Sequence, residues 1–239
     1  MMEKLFVISD VHGFYTETKK ALLKAGFDEN NDTHLLVCLG DVFDRGQESR
    51  EMLDYLLSIK NKVLVRGNHD QRMLDIINGS HLAFHDIFNG TYDTIVQLFG
   101  EGSTPNGILQ VSKTDETLIK VKRLLFSTIN YYEWGDYIFV HGWLPVNSEN
   151  PPVVLKDWRN ARDEDWHAAA WLEWQKLYGK VAIPEGKTLV CGHRSAALAN
   201  QFDGSRSSSD YTTFFGKNFI ALDACTIFSG FVNVLVLEK

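Results

Sequence analysis

The chain is sparing with cysteine and proline, has no long apolar run and carries fewer cations than anions. Its three cysteines, Cys38, Cys191 and Cys225, lie far apart inside apolar stretches. That excludes a disulfide framework and any CxxC metal site, and leads us to expect buried thiols in a reducing, cytoplasmic setting. No stretch approaches the roughly 18 apolar residues of a membrane span. The first apolar run, Leu5 to Ile8, is too short for a signal-peptide core. Only five prolines are present, and no Pro- or Gly-rich linker divides the chain. Twenty-four Lys and Arg against thirty-one Asp and Glu leave a formal charge of −7. That balance argues against a general affinity for nucleic acid or an anionic membrane surface, so neither is expected as a partner.

What is present is an ordinary globular composition, 44% hydrophobic and 23% charged over 239 residues. We read residues 1–239 as a single domain. Short apolar runs end on polar residues or glycine at Leu5 to Ile8, Leu35 to Leu39 and Val63 to Val65, with helical spacing between them from Phe14 to Ala25 and over Met52 to Leu57. Strand, helix and strand in alternation predict parallel pairing. The second half repeats the strand pattern at Tyr137 to Val140, Thr188 to Val190 and Phe219 to Leu222, and Val232 to Leu237 reads as a last strand. Residues 71–130 read as an inserted, largely helical segment with a loop at GEGSTPNG. Asp163 to Gly179 reads as one helix with a tryptophan stripe facing the core. The polar DGSRSSSD stretch, Ser205 to Asp210 within it, reads as a mobile loop.

The strand ends carry the chemistry. Asp10 and His12 follow the first strand, Asp41 the second, Asn68 and His69 the third, His141 the fourth and His193 the fifth. The carboxyl ends of neighbouring parallel strands converge on one sheet edge, so residues almost two hundred positions apart can meet in one crevice. Asp10 and His12, two apart, point to the same side of an extended strand end and can hold one metal. Asp41 can bridge two cations, and Asn68, His141 and His193 complete a second coordination sphere. Oxygen and imidazole without thiolate suit Mn²⁺, Fe or Zn²⁺. Two metals about 3.5 to 4 Å apart would activate a shared water and clamp the oxygens of a phosphoryl transfer.

SDVHG at Ser9 to Gly13, GDVFDRG at Gly40 to Gly46, RGNHD at Arg66 to Asp70, HGW at His141, GH at Gly192 to His193 and LDACTIFSG from Leu222 recur in order along nearly the whole chain. In this they resemble the phosphoprotein phosphatase (PPP) family of calcineurin-like metallophosphoesterases, of the bacterial serine/threonine phosphatase type. The resemblance implies an α/β fold: a central β-sandwich of two mixed sheets flanked by helices, in four αββα layers. It implies two divalent metal ions, Mn expected and Fe or Zn as alternatives. Asp10, His12 and Asp41 would hold the first, and Asp41, Asn68, His141 and His193 the second. His69, oriented by Asp44, matches the proton donor to the leaving group. Arg45 matches a phosphate clamp assisted by Asn68, and Arg159 matches a second clamp with Arg162 in reserve. Arg66 reads as a structural ion-pair partner. Ser9, Asp70 and Trp143 depart from the usual Gly, Glu and second Gly. The implied reaction is hydrolysis of phosphomonoesters, phosphoserine or phosphothreonine in proteins first. Symmetrical hydrolysis of diadenosine tetraphosphate is the alternative, and an inactive phosphate-binding regulatory protein a third reading.

Overall fold

The computed structural model describes residues 3–104 and 109–238. Strands β1 (Lys4–Ile8), β2 (His34–Cys38) and β3 (Lys62–Leu64) pair in parallel, and β9 (Leu235–Glu238) lies antiparallel against β1, giving the order β3-β2-β1-β9. A second sheet contains β4 (Tyr132–Trp134), β5 (Tyr137–Phe139), β6 (Thr188–Cys191), β7 (Phe214–Gly216) and β8 (Phe219–Ala221) in the order β4-β5-β6-β8-β7. Its three central strands are parallel, and an antiparallel hairpin strand closes each edge.

Alternation of side chains explains the layers. Leu5, Val7, Leu35 and Val37 point between the sheets, where they meet Phe139, Val190 and Ile220 of the other sheet. Phe6, Ile8, Leu36 and Cys38 point the opposite way, onto α1 (Tyr15–Lys24), α2 (Ser49–Ser58), α3 (Asn68–Ile77), α5 (Thr91–Phe99) and α6 (Glu116–Phe126). On the far face, Ile138, Val140, Leu189 and Cys191 meet Trp166 and Trp174 from α7 (Asp163–Ala170) and α8 (Trp174–Leu177). Helices therefore cover both sheets, which is why the central strands read as continuous apolar runs. Between α3 and α5 the segment adds the short α4 (Phe84–Phe88). No helix of the described residues is long and apolar enough to cross a membrane.

The structure refines the sequence reading at three places. The helix expected over Asp163 to Gly179 breaks after Ala170, because the Ala169 carbonyl accepts from both Trp143 N–H and Leu172 N–H at 3.1 Å, tying the helix end to the turn that carries His141. Trp166 and Trp174 are buried as expected. The DGSRSSSD stretch folds as hydrogen-bonded turns around Arg206, whose guanidinium donates to the Asp210 and Thr212 carbonyls. The hairpin strands β4 and β7 were not apparent from periodicity, being three residues each. Of the GEGSTPNG loop, Pro105 to Gly107 fall outside the described residues.

Candidate metal centre and its cleft

The site is assembled from backbone that ordinary residues avoid. Asp10, His12, Asp41, Asp44, Arg45 and His193 all have φ between 44° and 75°, a left-handed conformation costing roughly 1 to 2 kcal/mol for a residue with a Cβ. Hydrogen bonds hold them there: Asp10 N–H to the Gly40 carbonyl (3.1 Å), His12 N–H to the Asp41 carbonyl (2.9 Å) and Gly46 N–H to the His12 carbonyl (2.8 Å). Asp70, at the start of α3, accepts from Gly67 N–H (2.8 Å) and Asp41 N–H (2.9 Å) on one carboxylate oxygen and from Val42 N–H (3.0 Å) on the other. That carboxylate fastens the Asp41 turn to the Asn68–His69 turn. The loops meet so closely that a Cβ on Gly67 would fall on the Asp41 carboxylate. Behind His141, a Cβ on Gly142 would lie 2.6 Å from the Ala169 carbonyl oxygen, so the first glycine of this motif is required while Trp143 is free to fill the core.

Asp41 sits at the centre. Its Oδ2 lies 3.4 Å from His141 Nε2, 3.8 Å from His12 Nε2 and 4.0 Å from His69 Nε2, while Oδ1 accepts from His69 N–H at 3.0 Å. Two groups of donor atoms result, each within 4.8 Å, and they share Asp41: His12, Asp41 and His69 in one, Asp41, His141 and His193 in the other. His12 Nδ1–H donates to the Phe43 carbonyl (2.8 Å) and His141 Nδ1–H to the Leu39 carbonyl (2.6 Å), which leaves each Nε2 facing the cluster. A carbonyl behind the ring is how a metal-binding histidine is usually oriented. Asn68 Oδ1 lies 2.9 Å from His141 Nε2.

The arrangement departs from the expected spheres in one respect. Asp10 is in neither group; its carboxylate accepts from Ser9 Oγ–H and from His193 N–H. It thereby positions His193, and His69 stands in the first group instead. The second clamp also falls elsewhere. Arg159 donates to both oxygens of Glu133 on β4, at 2.6 and 2.9 Å, and lies over the Trp158 ring, so the structure does not bring it to the cluster. Arg162 is engaged with Asp165. Arg66 makes hydrogen bonds to Thr128 and Gln71 in place of an ion pair.

Charge follows from burial and neighbours. Burial and the adjacent Arg45 hold His12 well below the usual imidazole range, and burial with His141 nearby lowers His193 to about 3, so both are neutral donors. Burial opposes charge on His141, yet Asp41 outweighs it and raises the imidazole to about 10. Burial alone would raise Asp41, but His141 and His69 pull it well below the carboxylate range. Burial, then the Asp41 charge, raises Asp70 to about 6. The buried oxygen and imidazole donors fit two divalent cations; cations would replace the proton on His141 and offset the carboxylates crowded beside it.

Beside the cluster, His69 Nδ1 lies 2.6 Å from Asp44 Oδ2. Burial disfavours the imidazolium, but Asp41 and Asp44 prevail and raise it. The same Asp44 oxygen accepts from Thr91 Oγ–H (2.7 Å), and Thr94 Oγ accepts from Asp44 N–H (3.0 Å). Both threonines come from α5 in the inserted segment, so that segment builds the site. Neither was found by sequence reasoning. Arg45 reaches in from the cleft, its guanidinium 2.6 Å from His12 Nε2 and 3.2 Å from His69 Nε2.

The model of the calcineurin-like phosphoesterases matches residues 3–215. A symmetrical bis(5'-nucleosyl)-tetraphosphatase of Proteus mirabilis is 40% identical over 72 residues, 30% of this chain and 26% of that protein. Its counterpart in Buchnera aphidicola subsp. Schizaphis graminum is 34% identical over 76 residues, 31% and 27% of the two chains. The match thus spans about a quarter of the length of those relatives. Among solved structures, a cold-active protein-tyrosine phosphatase of a psychrophilic Shewanella aligns with a TM-score of 0.60 at 17% identity, over 100% of this chain and 76% of that one. A candidate diadenosine tetraphosphatase aligns at 0.56 and 12% identity, over 100% and 95%. These two alignments match the fold, and the family model together with the metal-type clusters places the chemistry: the chain belongs to the calcineurin-like phosphoesterase family.

Proposed function

We propose that this metal-dependent phosphoesterase cleaves a dinucleoside tetraphosphate symmetrically, adding one water to give two nucleoside diphosphates. The observation that carries the chemistry is Asp41 shared by two donor groups in a buried pocket. The substrate is supported by the relatives named for that cleavage. Asp10, His12 and Asp41 would hold one ion and Asp41, Asn68, His141 and His193 the other, the Asp10 carboxylate also accepting from His193 N–H. Two divalent cations, Mn²⁺ in the first instance, would supply Lewis-acid charge at the phosphoryl oxygens and lower the pKa of water. The planar, permanently charged Arg45 fork grips the phosphate under attack. His69, its proton held by Asp41 and Asp44, donates to the departing oxygen.

A second reading, hydrolysis of phosphoserine or phosphothreonine, is favoured by the His69–Asp44 pair itself. A diphosphate departs with little need of a proton, whereas a seryl alkoxide needs one. Phosphate or ADP release from diadenosine tetraphosphate and from a phosphoserine peptide, run side by side on Mn²⁺-loaded protein, decides between them. Rapid formation of two ADP with a slow peptide reaction supports the tetraphosphate; the reverse ranking replaces it with the phosphomonoester.

A further inference from the structure

We infer that the wall of the cleft, formed by Phe88, Phe228 and Arg194, is a nucleoside-diphosphate subsite that reads the part of the substrate beyond the metals. This rests on the tetraphosphate reading above. A cavity of about 390 Å³ borders the cluster at Arg45 and His193 and is lined further by Phe88, Phe228, Leu198 and Ile227 among polar residues that include Arg194 and Ser195. That is at the small end of ligand pockets and suits one nucleotide-sized group.

Its composition is what a nucleoside diphosphate needs. Two guanidiniums face one cavity. Arg45 lies against the imidazoles of the cluster, while Arg194 follows His193 with its N–H bound to the Gly192 carbonyl (2.7 Å) and its carbonyl to Trp174 Nε1–H (2.8 Å). Backbone contacts fix where Arg194 starts, while its side chain, 43% exposed, pairs with Glu173 at 3.6 Å at the edge of the cavity. The carboxyl in the lining, Asp223, is tied back to its own turn, its Oδ1 accepting from Cys225 N–H at 2.6 Å. A phosphoserine brings one phosphate; a nucleoside diphosphate brings two in a row, one for each arginine.

The outer wall is apolar where solvent would favour polar groups. Phe88 is 75% exposed and Phe228 76% exposed. They lie 140 positions apart in the sequence, Phe88 on α4 and Phe228 on α9 (Thr226–Ser229), and line the same cavity. Phe88 is steadied edge-on against Phe84, ring centroids 4.9 Å apart. Exposed aromatic faces beside cationic side chains are how bases are commonly held, each stacked base contributing about 1 to 3 kcal/mol. Grouped at the mouth of a catalytic cleft, these rings mark a binding surface.

The test compares ADP with inorganic pyrophosphate as inhibitors of p-nitrophenyl phosphate hydrolysis by Mn²⁺-loaded protein, since the two differ by the adenosine. The expected result is tighter inhibition by ADP in the wild type. Phe88→Ala and Phe228→Ala should reduce that advantage by about 5- to 150-fold, the range that one stacked base corresponds to. Arg194→Ala should weaken ADP and pyrophosphate alike. Both rings are largely exposed, so circular dichroism should show an intact fold in each variant. Equal inhibition by ADP and pyrophosphate, or an ADP advantage that survives both ring variants, would overturn the subsite. A phosphopeptide weakened by Phe88→Ala with ADP unaffected would overturn it too and give the wall to a peptide. If ADP binding depends on the rings while diadenosine tetraphosphate is not cleaved, the subsite stands and the tetraphosphate reading falls.

Discussion

The floor of the cleft and its wall are held in opposite ways. On the floor, His12 and His141 each have a ring nitrogen tied to a carbonyl, His69 is tied to Asp44, and Asp70 knots two loops together through three backbone N–H groups. On the wall, Phe228 stands 76% exposed on the four-residue α9, and Arg194 follows His193 with its side chain paired at 3.6 Å to Glu173. Left-handed backbone is concentrated at the floor, where surrounding hydrogen bonds compel it. A rigid floor fixes the positions of charge for one kind of chemistry, and a lightly held wall can change what is presented to that chemistry without disturbing it.

The contrast can be broken most forcefully at Asp41. Asp41→Asn removes the carboxylate common to both donor groups and should lower turnover by about 10³-fold or more, a loss of about 4 kcal/mol. Mass spectrometry should find both ions depleted together. Retention of two ions with normal activity would separate the groups.

Next comes His69→Asn, which should slow phosphoserine peptide hydrolysis by about a hundredfold, the usual contribution of general acid catalysis, and p-nitrophenyl phosphate hydrolysis far less. The pH profile adds a sign. Because His69 is raised above an ordinary imidazole, it stays protonated to higher pH and its activity limb falls as pH rises through the raised value. Asp44→Asn removes one of the two carboxylates responsible, so that limb should move to lower pH. An unmoved limb would deny Asp44 this role.

Stability draws the contrast a third way. Gly67→Ala drives a methyl into the Asp41 carboxylate and should cost about 1 to 3 kcal/mol as overpacking does, whereas Phe228→Ala on the wall should stay within about 0.5 kcal/mol. Urea unfolding of the two variants measures both. Comparable losses would show that the wall is as firmly built as the floor.

The smallest effect expected is that of Thr91→Val, which takes away one hydrogen bond to Asp44 and should reduce activity by about fivefold, the kinetic equivalent of about 1 kcal/mol. The loss should be confined to substrates with poor leaving groups. A uniform loss on all substrates would make Thr91 a packing residue.

The floor was legible in the sequence because its residues sit in short segments at strand ends, where local motif and spatial position coincide. The layers were legible for a similar reason: buried parallel strands leave uninterrupted apolar runs. What could not be read is what depends on contacts between distant segments. Thr91 and Thr94 reach Asp44 across 47 and 50 positions in an insert with no motif of its own. Arg159 looked available because its partner, Glu133, lies on the edge strand β4 that periodicity missed. A closer signal existed in the two-residue Gly135–Asp136 turn between Tyr132–Trp134 and Tyr137–Phe139, the spacing of a hairpin. Arg194 carried no signal beyond its place after His193. The helix break after Ala170 arises from a carbonyl recruited by Trp143, a demand invisible in the helix's own residues.

Whether two divalent cations sharing Asp41 carry the phosphoester hydrolysis is decided by titrating Mn²⁺ into chelator-stripped wild-type protein. Bound ion, released proton and hydrolysis of p-nitrophenyl phosphate are followed together. Two ions should bind per chain, a proton should be released at pH 8 because His141 is held at about 10 without metal, and activity should appear only as the ions fill. Full hydrolysis by the stripped protein, or saturation with no ion bound in this cluster, would contradict it.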